Sequence, residues 1–189
     1  QIALLLCEHP GTLTVGRRGS RTQIQFTPRE LASHNLPVRW VNHGGGCLIH
    51  LPGQLAVYAV VPLDWHRMPL ADYLARLRQA VRGVLEELHL RVQDTPGGDA
   101  PQTGASSHGD SHRNGDSHQS GGHQDGSVQL RQGPAGLWGR TGQLAAFAVA
   151  VKHGISYHGA FINVCPSLDL FRGVSSDPVD RSPMSSLIA

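Results

Sequence analysis

Leu70, Leu74, Leu77, Val81, Val84 and Leu88 recur at steps of three and four, the spacing that lines one face of a helix from about residue 69 to 90. Pro69 opens this stretch and Pro96-Gly97-Gly98 lies beyond its end, while Arg76, Arg78, Arg82, Glu86 and Glu87 fall on the solvated side. An apolar stripe of this length has to be covered, and the rest of the chain offers strands to cover it. Ile2 to Cys7 is a continuous apolar run of the kind that suits a strand buried on both faces. Thr12 to Val15, Val38 to Val41, Cys47 to His50, Leu55 to Val61 and Leu144 to Val151 read as further strands. Ile155 to His158 and Ala160 to Val164 read as two more, and Pro28 to Ser33 as a short helix opened by its proline. The fold class predicted is α+β, a mixed sheet flanked by helices, in a single domain over residues 1–189.

A net charge of +2 leaves no polybasic field of the kind that marks a nucleic-acid binder. Cys7, Cys47 and Cys165 are an odd, scattered set and read as free thiols of a reducing compartment. No segment approaches the roughly 20 apolar residues of a membrane span, and the opening run lacks a basic leader. The expectation is a cytoplasmic protein without a membrane partner.

Between residues 94 and 130 the composition changes to Gly, Ser, His, Asp and Gln, with scarcely an apolar side chain. Such a segment cannot bury enough surface to offset the entropy of ordering, so it reads as a disordered insert. His108, His112, His118 and His123 raise the idea of a metal site, but a zinc site needs fixed tetrahedral geometry, and a solvated loop is the favoured reading. No metal is expected.

Three stretches carry candidate chemistry. In His43-Gly44-Gly45-Gly46-Cys47-Leu48-Ile49-His50-Leu51-Pro52-Gly53-Gln54, three glycines remove side chains so that a ligand or a neighbouring backbone can come close. A plain glycine-rich hairpin accounts for the stretch equally well. In Gly142-Gln143-Leu144-Ala145-Ala146-Phe147-Ala148-Val149, small residues such as Ala146 and Ala148 leave room for a chain-like apolar ligand, or simply permit tight packing. In His158-Gly159-Ala160-Phe161-Ile162-Asn163, a histidine and an asparagine within apolar surroundings suggest polar groups aimed into a pocket; a purely structural hydrogen bond would serve as well.

Taken in order, these stretches resemble the lipoyl/octanoyl transferase family (octanoyl-[acyl-carrier-protein]:protein octanoyltransferases). Leu4-Leu5-Leu6-Cys7-Glu8-His9-Pro10 and Gly16-Arg17-Arg18-Gly19 match the family's opening strand and turn. His43 to Gln54 matches its Arg-Gly-Gly-x-x-Thr-Tyr-His-Gly-Pro-Gly-Gln signature. Gly142 to Ala148 matches a Gly-Lys-x-Ala-x-x-Gly element, and His158 to Val164 a His-Gly-x-Ala-x-Asn element. Asp180-Arg181 and Ser185-Ser186-Leu187 echo the family's last motif. The resemblance spans nearly the whole chain outside the His-rich insert.

It implies the biotin/lipoyl protein ligase catalytic fold and transfer of an octanoyl group, without a cofactor, from acyl carrier protein to a lysine of a lipoyl domain. The acceptors implied are the lipoyl domains of 2-oxoacid dehydrogenase or glycine cleavage proteins. Substrate-binding positions implied are Gly44, Gly45, His50, Gly53, Gln54, Ala146, Ala148, His158, Gly159 and Asn163. In the family a cysteine takes the acyl group, and a lysine lowers that cysteine's pKa.

The departures fall on that pair. The lysine position is Gln143, and counting without gaps from Asn163 puts the nucleophile's position at Asp177. The signature's arginine is His43, and the glycine after its histidine is Leu51. The sequence also starts about one strand and one helix later than the family's usual beginning, and it stops short of the usual C-terminal helix. Cys165, in Asn163-Val164-Cys165-Pro166, is a weaker candidate for a relocated nucleophile, and Cys47 weaker still. Two functions follow: an acyltransferase of altered mechanism, or an inactive homologue that binds an acyl chain or a carrier domain.

Overall fold

The structure, a computed structural model, describes residues 1–94, 136–174 and 184–188. The strand-length runs form two sheets. One has five strands: β1 (Ala3–Cys7), β5 (Gln54–Val60), β8 (Ile155–Asn163), β7 (Gln143–Lys152) and β6 (Gly136–Trp138), in that spatial order, every neighbouring pair antiparallel. The other sets β2 (Thr12–Val15) between β3 (Val38–Trp40), which is parallel to it, and β4 (Cys47–His50), which is antiparallel. Helix α1 (Pro28–Ser33) connects β2 to β3. Its start is fixed by a reciprocal cap between Thr27 and Glu30, with Pro28 in the first turn. The class is α+β with mixed strand pairing, as expected from the sequence.

The long helix α2 (Leu70–Glu87) lies a residue or more inside the expected limits, and its buried stripe is rotated from the expected one. Tyr73, Leu77, Val81 and Leu85 face the sheet; Leu70, Leu74, Val84 and Leu88 are 37% to 56% exposed. Strict i, i+4 spacing carries the buried row, and Tyr73 anchors it by donating its hydroxyl to Ala59 O at 2.7 Å. The row packs on Leu137, Leu144, Phe147, Val149, Ala160 and Ile162 of the five-stranded sheet. Each such side chain buried contributes about 1.5–3 kcal/mol. The sequence puts Arg78 and Arg82 on the solvated side of the helix. Instead Arg78 lies over the Phe147 ring, 5.4 Å from its centroid, and both arginines pair with Asp94. Asp94 is thereby held in place, although it was counted in the insert; residues 95–135 lie outside the described residues.

A second core unites Leu13, Val15, Ile49 and Leu51 with Ile24, Leu36, Cys47 and Phe171. Two further expectations need correction. Ile2 to Cys7 is not buried on both faces: among the described residues β1 is an edge strand paired only with β5, and Leu4, Leu5 and Leu6 are 64%, 53% and 59% exposed. An unbroken apolar run is shared by buried and edge strands, and the residues on which α2 packs come from β5 to β8 and not from β1. The two strands expected around Gly159 are one strand, β8.

Continuity through Gly159 has a local cost. β5 and β8 pair from Gln54–Asn163 to Val57–Ala160 and meet again at Pro62–Ile155. Between these points His158 takes a left-handed conformation, φ 58°, and a Cβ on Gly159 would collide with the Val57 carbonyl oxygen. Ser156 closes the gap with its side chain, donating to Ala59 O at 2.9 Å and accepting from Val61 N at 2.9 Å. The opening turns the His158 ring toward Tyr58 and His43, with ring centroids 6.2 and 5.6 Å away.

Candidate functional site

The glycine stretch acts first as a clamp. Gly16 N donates to Gly46 O, Arg17 N to His43 O and Arg18 N to Gly45 O, each at 3.0 Å, so the Gly16–Gly19 turn and the His43–Gly46 turn lock together. Gly44 N donates to Val149 O at 2.9 Å and ties both turns to β7. Gly45, at φ 92°, needs the left-handed freedom of glycine, and Gly16 leaves room for the His43 ring. The clamp holds β4 alongside β7 and β8, and the space between them is the site.

That space is a cavity of about 20 Å³, lined by Leu48, Ile49 and His50 of β4 and by Ala146 and Phe161 of the large sheet. Phe171, Val174 and Met184 close its outer wall. One end is polar. Gln54 accepts from Leu51 N at 2.8 Å and donates from Nε2 to Asn163 Oδ1 at 2.8 Å. Asn163 Nδ2 donates to Gln143 O at 3.2 Å, and Gln143 Nε2 donates to Ala145 O at 3.2 Å. The segment at residues 184–188 seals this end: Ser185 N donates to Gln143 O at 3.0 Å and Leu187 N to Asn163 O at 2.9 Å.

Beside the cavity lies a cluster of histidines and aromatics that shares His50 and Phe161 with it; their ring centroids are 4.4 Å apart. Thr14 Oγ1 lies 3.0 Å from His43 Nε2 and 2.9 Å from His50 Nε2, and His43 Nδ1 lies 2.9 Å from Gly44 O. His9 is hydrogen-bonded to the Tyr58 hydroxyl. Burial, reinforced by His9, His43 and His158, pushes the His50 pKa down to about 3. Burial also lowers His43 and His158, and it pushes the Tyr58 hydroxyl up to about 12, with Cys7 adding to the shift. All three imidazoles are therefore neutral at pH 7. Cys47 lines the cavity, but burial raises its thiol pKa and the S–H points to Ser20 O at 3.4 Å, so it is held as an unreactive thiol. Cys165 is exposed and does not line the cavity.

Residues 1–188 match the model of the lipoyl protein ligase A/B catalytic domain. The chain belongs to that family. It is 30% identical over 184 residues to an octanoyltransferase of Syntrophobacter fumaroxidans, covering 97% of this chain and 65% of the relative. It is 29% identical over 185 residues to an octanoyltransferase of Synechococcus elongatus, covering 98% and 63%. The chain thus spans just under two thirds of the length of these relatives. Among solved structures it is similar in fold to a putative lipoate protein ligase of T. acidophilum with bound lipoic acid. That likeness has a TM-score of 0.62 at 14% identity and covers 99% of this chain and 64% of the other. A lipoate-protein ligase A bound with ATP superposes with a TM-score of 0.59 at 15% identity, over 92% of this chain and 58% of that one.

Within this lipoyl protein ligase-type domain, the positions singled out in the sequence divide into three groups. His50, Gln54, Asn163, Ala146 and Gln143 converge on the cavity. Gly44, Gly45, Gly53 and Gly159 shape backbone around it, and Ala148 packs in a small neighbouring cluster with Ala56 and Phe161. His158 faces the histidine cluster. Asp177 and the four insert histidines lie outside the described residues. Sequence reasoning missed Thr14, His9 and Tyr58, which come from three separate strands or loops. It also missed Phe171, Val174 and Met184, whose only signal was apolar character near the end of the chain.

Proposed function

We propose that this chain serves octanoyl transfer in lipoate biosynthesis, taking an octanoyl group from acyl carrier protein and delivering it to a lysine of a lipoyl domain. The observation that carries this reading is the cavity between β4 and the β7–β8 pair. It is apolar along Leu48, Ile49, Phe161 and Phe171, polar at Gln54 and Asn163, and set in a family domain whose relatives are octanoyltransferases. At about 20 Å³ the cavity holds little more than a water molecule, so an octanoyl chain enters by displacing the outer wall of Phe171, Val174 and Met184.

Neither Gln143 nor Cys47 supplies a Cys–Lys pair. Gln143 is neutral, buried and bound to the backbone, and Cys47 is held as a thiol. The transfer proposed is therefore direct. The lysine nitrogen attacks the thioester carbonyl, the C–N bond forms, the C–S bond breaks, and the carrier's sulfur leaves with the proton that the amine gives up. The same two observations favour a second reading, in which the chain binds the acyl group or carrier without turnover.

Incubation of octanoyl-carrier protein with a lipoyl domain, with and without this chain, separates the two. Faster appearance of octanoyl-amide on the lipoyl domain supports transfer. Binding of the carrier without any rate increase supports the second reading.

A further inference from the structure

His50 is 6% exposed, lines the cavity, and its Nδ1 has no hydrogen-bond partner among the described residues. A buried unpaired nitrogen costs about 1–3 kcal/mol if it stays unsatisfied, so its protonation state matters. Three contacts decide that state. Gly44 O can only accept, so the hydrogen on the His43 ring sits on Nδ1, and Nε2 carries a lone pair. Thr14 has one hydroxyl hydrogen and gives it to His43 Nε2 at 3.0 Å. The Thr14 oxygen then accepts from His50 Nε2–H at 2.9 Å, which leaves His50 Nδ1 bare.

The competing arrangement sends the Thr14 hydrogen to His50 Nε2 and would put the His50 hydrogen on Nδ1. Thr14 would then accept from His43 Nε2–H, and with Nδ1–H held by Gly44 O that requires hydrogens on both nitrogens of His43, a cation in a buried place near Arg17, which itself lowers the His43 pKa. Every group facing His50 argues the same way: His9 before β2, His43 before β4 and His158 on β8 all oppose a positive charge, and Thr14 is neutral.

We propose that Thr14 and His43 are positioning residues: they fix His50 as the Nε2–H tautomer, so that its bare Nδ1 accepts a hydrogen bond from the lysine Nζ–H that receives, and then carries, the octanoyl group. The tautomer assignment stands on the geometry; the identity of the donor rests on the octanoyl-transfer reading. The resemblance puts His43 where the family's signature has arginine, so the relay from Gly44 O through His43 and Thr14 to His50 is argued from this chain's own residues.

Ring nitrogen shifts of ¹⁵N-histidine-labelled full chain test the first half. The expected result is a pyridine-like Nδ1 and a pyrrole-like Nε2 for His50, unchanged from pH 8 to pH 5. Thr14→Ser keeps this pattern, and Thr14→Val gives a mixture of tautomers. An Nδ1–H tautomer in wild type overturns the proposal whether or not Thr14→Val folds, and so does an unchanged tautomer in a folded Thr14→Val. The second half is read by binding of Nα-acetyl-Nε-octanoyl-lysine against its ester isostere, which lacks the N–H. Wild type and Thr14→Ser prefer the amide by about tenfold; Thr14→Val loses most of that preference. Equal binding of the two compounds to wild type overturns the assigned donor. If neither compound binds, the octanoyl reading of the cavity falls, while the nitrogen shifts still decide the tautomer.

Discussion

At the residue scale, the neutral histidines set a pH dependence. His50 titrates at about 3 when folded and near 6.5 when unfolded. Below pH 6.5 the unfolded chain takes up protons that the folded His50 refuses, so stability falls as pH drops from 6.5 toward about 3. His43 and His158 are shifted the same way and add to the slope. A single group of this kind contributes at most about 1.4 kcal/mol per pH unit. Urea unfolding between pH 7 and pH 4.5 is expected to show the fall, and His50→Gln to flatten it. A wild-type midpoint that does not move across this range would mean the cluster is already charged or open to water. Little of this was legible in the sequence. His50, Gln54 and Asn163 stand in recognisable motifs and do reach the cavity. Thr14 is one small residue in a four-residue strand; the pairing of β2 with β4 brings it near His50, and the clamped turn before β4 brings His43 to it.

At the element scale, α2 shows where sequence patterning stops. The expected and the observed stripes share Leu77 and Val81; the expected one runs in steps of three and four, the observed one in steps of four, and a helix face accommodates both. The choice between Leu85 and its neighbours Val84 and Leu88 depends on how the helix turns over the sheet. Leu85→Ala is expected to cost about 2–5 kcal/mol, and Leu88→Ala to stay within about 0.5 kcal/mol, as read by urea denaturation. Equal losses would put the stripe back where the sequence alone placed it. The run Ile2 to Cys7 teaches the same lesson, since strand length and hydrophobicity were legible but its edge position was not. The segment at 184–188 closes the cavity through Met184 and through backbone bonds to β7 and β8. Met184→Ala removes wall without touching those bonds. It is expected to tighten octanoate binding by about threefold to tenfold in calorimetry, because less wall has to move to admit the chain. Weaker binding would show that Met184 contacts the chain instead of obstructing its entry.

At the scale of the whole molecule, the α+β class and the family were legible because several weak motifs fall in order along nearly the full chain. What could not be read was which motif residues touch the cavity and which only bend backbone. Gly45 illustrates the difference. Its freedom is used by the clamp between two turns, a Cβ there would meet nothing within 4 Å, and it does not line the cavity. Ala146 does line it, opposite His50's strand, in the middle of a ten-residue strand paired on both sides. Ala146→Phe therefore fills the space while the sheet that carries it stays paired. The measurement that bears most directly on the proposed site is octanoate binding to wild type and to Ala146→Phe, with thermal unfolding of both recorded alongside. At least a tenfold loss of affinity in the variant is expected at a nearly unchanged melting temperature; equal affinity in two equally stable proteins would mean that no acyl chain enters this space.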